Sequence, residues 1–183
     1  YVTSLSGASK DFRESSSNLV YVFFLALILI YLTLAGQFES FRDPFIIMFT
    51  VPLALAGAVF SLWYFKQTLN IFSEIGMIML IGLVTKNGIL IVEFANQQQL
   101  LGLAKNEAVI EAAALRFRPI IMTSLATILG ALPIALALGA GSQSRVSMGI
   151  VIIGGLMLST LLSLYVVPVM YSYFSETLKK DAA

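Results

Sequence analysis

From Ile75 to Phe94 the chain is apolar over a length sufficient to cross a bilayer, and four further stretches share that property. Such runs leave few folds open. Lipid offers no hydrogen bonds to backbone N–H and C=O groups, so a spanning segment must satisfy its own as a helix or join a closed barrel. The runs are continuous in hydrophobicity rather than alternating, which argues against barrel strands and for helices. Apolar types make up 58% of the residues and charged types 11%, far from the balance of a soluble domain. The expected fold class is therefore all-α: a polytopic helical membrane protein with five transmembrane helices plus one amphipathic cytoplasmic helix.

Punctuation places the spans. The first covers about 19–36 and follows a polar, Ser-rich stretch, 1–18. Pro44 opens the second, about 44–65, at the first helical position that proline favours, and Trp63 and Tyr64 close it where an interfacial aromatic belt belongs. The third, about 74–96, ends in Asn96-Gln97-Gln98-Gln99. Pro119 opens the fourth, about 119–138, which Gly139-Ala140-Gly141-Ser142 breaks; the fifth covers about 145–174, with a short tail at 176–183. Between the third and fourth spans, 100–118 has helical periodicity, with Leu103, Ile110, Ala114 and Phe117 set apart from Lys105, Glu107 and Glu111, and is expected to lie along the membrane surface. Pro52, Pro133 and Pro168 fall inside spans and should kink them. Small residues at four-residue spacing, such as Ala54 and Ala58, Ala126 and Gly130, Ala131, Ala135 and Gly139, and Ser159 and Ser163, predict close helix packing.

With the C-terminus cytoplasmic, the inner side carries Arg42, Lys105, Arg116, Arg118, Lys179 and Lys180, against Lys10, Arg13, Lys66 and Arg145 outside, and this bias sets the expected topology. A net charge of +1 with no basic tract gives no sign of a nucleic-acid partner. Without Cys or His there is no disulfide framework, thiol chemistry or ordinary zinc site, and no cofactor motif is present. Nor do a nucleophile, base and oxyanion donors converge, so no enzyme is expected. The chain begins at Tyr1 without a visible signal peptide and reads as a piece of a longer one.

The residue that stands out chemically is Lys86, near the middle of its span in the polar, small run Gly82-Leu83-Val84-Thr85-Lys86-Asn87-Gly88. A lone lysine at a helix centre costs about 2.5–3.5 kcal/mol to insert, so it usually faces a partner, a wet cavity or an ion path. Lys86 lies about 12 Å below the inner surface, too deep for easy snorkelling. An ammonium beside carboxylates loses its attraction when they take up protons, which makes a proton-sensitive switch. Glu39, Asp43, Glu74, Glu93 and Glu176 all fall near span ends or in loops, so that partner must come from elsewhere; the alternative is that Lys86 bonds carbonyls freed by a broken helix, or Asn87 of a neighbouring copy. Glu93 shares the Lys86 face and reads as interfacial. Arg116, Thr123 and Thr127 fall on one stripe of the fourth span, although threonine hydroxyls in apolar helices mostly bond back to their own backbone.

Three runs carry a resemblance: Gly36-Gln37-Phe38-Glu39-Ser40-Phe41 with Asp43-Pro44; Gly82 to Ala95 through Thr85-Lys86-Asn87-Gly88 and Val92-Glu93-Phe94; and Arg116-Phe117-Arg118-Pro119-Ile120-Ile121-Met122-Thr123-Ser124-Leu125. Together they resemble the last five transmembrane helices of resistance-nodulation-division efflux permeases, of the hydrophobe and amphiphile exporter type. The resemblance covers nearly the whole chain. It implies drug export from Gram-negative bacteria by proton antiport, through an inner-membrane trimer joined to a periplasmic adaptor and an outer-membrane channel. It further implies a proton relay in which Lys86 pairs alternately with a carboxylate pair, Thr123 supplies a hydroxyl beside that cluster, and Arg116 stands at the cytoplasmic end of the route.

Nothing in this chain matches the family's carboxylate pair, which belongs to the N-terminal permease half. The first seven spans and the periplasmic porter and docking domains are also unmatched, apart from 1–18, which resembles the end of a porter region. Two readings therefore stand: the C-terminal transmembrane part of a proton-driven drug exporter, or a free-standing, non-transporting membrane scaffold that packs with a permease half. A small cation channel lacks the acidic ring expected at a filter.

Overall fold

The computed structural model describes residues 8–138 and 143–175, with side chains over 19–138 and 144–175. The expectations for the 176–183 tail, for 1–7 and for the break at Gly139 to Ser142 lie outside the described residues. Those described form helices throughout, without a strand: α1 (Ala8–Phe38), α2 (Arg42–Met48), α3 (Thr50–Tyr64), α4 (Ile71–Leu100), α5 (Lys105–Ala135) and, after a single 3-10 turn at Gln143–Arg145, α6 (Val146–Phe174). Five segments are long and apolar enough to span a membrane, with α2 and α3 forming one of them. The molecule is a multi-pass helical membrane protein.

Three boundaries differ from the sequence expectation. Helix α1 begins at Ala8, so 8–18 continues into the first span instead of standing apart. The second span is divided at Phe49, because Pro52 has no N–H to offer the Met48 carbonyl. There the Phe49 N–H is shared between the carbonyls of Phe45 and Ile46, each at 3.3 Å, and the Thr50 hydroxyl donates to Ile47 at 2.7 Å. Third, 100–118 is not a separate surface helix. It is helical from Lys105, and α5 passes through Pro119 for 31 residues, about 46 Å at an α-helical rise. A proline removes one backbone bond, and inside a long helix that single loss does not end it. Of the face expected to meet the membrane surface, Ile110 and Phe117 are exposed, while Ala108, Val109 and Ala112 pack inward.

Helix α6 is the hub, packed against α3, α4 and α5, with α1 at the edge against α4 and α2. Close approach explains the arrangement. A Cβ at Gly155 would collide with Leu80 of α4, and one at Gly149 would lie 2.6 Å from the Ala135 backbone nitrogen of α5. Ala54, Ala58, Ser159 and Ser163 are buried, as their spacing predicts. Ala126 and Gly130 are not. Helix α1 is only 6% buried over its span and presents Tyr21, Phe24, Ile28 and Leu32 outward, as a lipid-facing helix does.

Polar contacts tie the two ends of the bundle. At one end Asn70 caps α4, accepting from the Ser73 N–H at 2.9 Å, while Ser147 of α6 donates to the same Asn70 oxygen at 2.8 Å. At the other, Asn96 of α4 donates to the buried Asp43 of α2 at 2.8 Å. Tyr171 of α6, fully buried, donates to Asn96 and accepts from Gln99 at 2.8 Å.

Candidate functional site

The chemistry-bearing residues collect on one open seam. Met79, Gly82, Lys86, Glu93 and Gln97 are exposed on α4 at offsets of three, four and seven, so they form a single stripe. On α5, Pro119, Thr123, Ala126, Gly130 and Pro133 do the same. A lipid-facing surface carries large apolar chains, as Met122, Leu125 and Leu129 do on the adjoining face of α5. The Pro-Thr-Ala-Gly-Pro stripe instead has the small residues of a helix-packing face. A Cβ added at Gly82 or Gly130 would meet nothing within 4 Å.

Where the two stripes meet, Leu83, Lys86 and Asn87 of α4, Thr123, Ser124 and Thr127 of α5, and Leu156 of α6 line a cavity of about 20 Å³. Lys86 and Thr123 are thus brought together, at mid-helix depth. Among the described residues Lys86 has no hydrogen-bonded or ionic partner. The Thr123 hydroxyl donates to the Ile120 carbonyl at 3.1 Å and that of Thr127 to Thr123 at 2.8 Å, so both satisfy their protons within their own helix and keep lone pairs free.

Arg116 is not part of this cluster. It lies two turns away along α5, with its guanidinium 4.7 Å from the centroid of the Phe94 ring of α4, a cation–π contact. Glu93 shares the Lys86 stripe about 10 Å further along the helix, too far to pair with it directly.

Behind Lys86 lies a buried polar group that spacing alone did not mark. Asn87 donates to Ser124 at 3.4 Å and to Thr160 of α6 at 3.5 Å, and Thr160 donates to Ser124 at 3.1 Å. The signal for it was present: an asparagine beside the lysine, and a serine beside the threonine, each in an apolar span. What periodicity could not supply is direction, because α4 carries polar residues on more than one side, Lys86 on the exposed stripe and Asn87 on the buried one. Asp43, expected near a span end, is indeed at one, yet it is buried in the Asn96 and Tyr171 network.

Comparison with known proteins gives the arrangement a family. The sequence model described as the AcrB/AcrD/AcrF family (ACR_tran) matches residues 1–175. An uncharacterized transporter of Haemophilus influenzae is 46% identical over 180 residues, covering 94% of this chain and 17% of that protein. Multidrug resistance protein MdtC of Erwinia tasmaniensis is 41% identical over 174 residues, with 94% of this chain and 17% of that protein covered. Among solved structures, a heavy metal efflux pump superposes with a TM-score of 0.80 at 33% identity, covering 91% of this chain and 16% of that one. The chain spans about a sixth of the length of these relatives. With a fold, a matching family model and relatives in agreement over nearly all its residues, the chain belongs to the AcrB/AcrD/AcrF family of resistance-nodulation-division efflux transporters.

Proposed function

We propose that this chain is the C-terminal transmembrane part of a proton-driven exporter of amphiphilic compounds, working by proton antiport rather than as an enzyme. The observation that carries the proposal is Lys86: an ammonium at mid-span, on an uncovered face whose neighbouring stripe is built for helix packing. A transmembrane helix bearing a carboxylate pair, from the N-terminal permease half, fits that face. The magnitudes are consistent. A lysine at a helix centre costs about 2.5–3.5 kcal/mol, and a charge pair at about 4 Å under an effective dielectric near 20 returns about 4 kcal/mol. Protonating the carboxylates removes that attraction, and the seam is then free to shift. Thr123 supplies a hydroxyl at the same cavity, and Arg116 guards the inner end of the route.

The family membership supports the remaining assignments: the bacterial inner membrane, a cytoplasmic C-terminus, a homotrimer, a periplasmic adaptor and an outer-membrane channel. Amphiphiles are favoured over metals as substrates because the relatives named for multidrug resistance are 41% identical, against 33% for the heavy metal pump. The test is Lys86→Met in the complete transporter. We expect drug tolerance to fall to that of cells lacking the pump, with the protein still at its normal level in the membrane. Unchanged tolerance contradicts the switch.

A further inference from the structure

We propose that Asn87, Ser124 and Thr160 form a hydrogen-bonded hub that holds one water molecule between itself and the ammonium of Lys86. The three side chains are 3%, 5% and 4% exposed and come from α4, α5 and α6. Most other hydroxyls within the spans, such as those of Thr50, Thr85, Ser159 and Ser163, bond back to their own helix. Ser124 and Thr160 instead bond across helices.

Counting valences shows what the hub leaves open. Ser124 accepts from Asn87 and from Thr160, which uses both its lone pairs, while its own proton has no acceptor among the described residues. The Asn87 amide donates twice, at 3.4 and 3.5 Å, and its carbonyl oxygen has no described partner. Asn87 and Ser124 both border the cavity of about 20 Å³ that Lys86, Thr123 and Thr127 also line. A buried water needs about 10–15 Å³ and two to four polar partners. Both conditions are met. The water accepts from Ser124 and from the donor-only ammonium of Lys86, and it donates to the Asn87 carbonyl and to a threonine hydroxyl oxygen. The water's own valences are then complete, and every donor of the hub is engaged.

The consequence for transport rests on the proton-switch reading above; the water site does not. When the facing carboxylates are protonated, this water continues to solvate the Lys86 charge from the bundle side. The test is cryo-electron microscopy of the complete transporter in lipid nanodiscs, at water-resolving resolution, paired with export measured in proteoliposomes. Wild type is compared with Asn87→Leu and with Ser124→Ala, the milder change should the first disturb folding. We expect a water peak within hydrogen-bonding distance of Asn87 Oδ1, Ser124 Oγ and Lys86 Nζ. It is weakened by Ser124→Ala and lost in Asn87→Leu. A cavity without the peak, or a peak that Asn87→Leu leaves in place, overturns the proposal. If the peak behaves as expected while Lys86→Met retains full export, the water site stands and the proton-switch reading falls.

Discussion

Lys86 and Asn87 are neighbours in the chain, about 100° apart around α4, the one exposed on the open seam and the other buried in the hub, and both border the same cavity. The mid-helix position of Lys86 was legible in the sequence, because apolar residues run on both sides of it through the length of α4. Its direction was not, since polar residues within a span mark a packed face as readily as an open one: Lys86, Glu93 and Gln97 lie on the exposed stripe and Asn87 on the buried side. The same limit hid Tyr171, whose ring reads as one more apolar residue in α6 but whose hydroxyl joins Asn96 to Gln99. Tyr171→Phe keeps the ring packed and strips those two amides of a partner. Leaving a buried polar group unsatisfied costs about 1–3 kcal/mol. We expect a fall in Tm of several degrees in detergent, with export altered far less than by Lys86→Met; an unchanged Tm contradicts a bracing role for the network.

Among the elements, the spans were legible from apolar length and proline punctuation, and the errors came where one proline had two readings. Pro119 looked like a helix start and lies inside α5, whereas Pro52 looked like a kink and divides the span at Phe49. Whether a lost backbone bond ends a helix depends on its neighbours, which the local sequence does not contain. Small-residue spacing was ambiguous in a similar way. It marked Ala54 and Ala58 as a packed face and Ala126 and Gly130 as another, but only the first is covered within the described bundle. This separates two substitutions. Gly155→Leu drives a side chain into Leu80 and should destabilise the bundle by about 1–3 kcal/mol, read as loss of folded protein from the membrane. Gly130→Leu meets nothing within 4 Å here. In the complete transporter it should leave this bundle folded yet cut export sharply by obstructing the partner half. Normal export from Gly130→Leu would mean that this face meets lipid instead.

At the scale of the whole molecule, the described residues form a five-span bundle with an uncovered, lysine-bearing face. The relatives it matches are about six times longer. On the transporter reading, an antibody to this chain should detect, in source membranes, a polypeptide several times larger than 19.9 kDa. A band at that mass supports the free-standing scaffold. The proton-switch account is tested most directly by flux. The complete transporter and its Lys86→Met variant are reconstituted in proteoliposomes, a pH gradient is imposed, and amphiphile export and proton entry are recorded together. The account predicts coupled movement of both in the wild type and loss of both in Lys86→Met at equal protein; gradient-driven export persisting in Lys86→Met would contradict it.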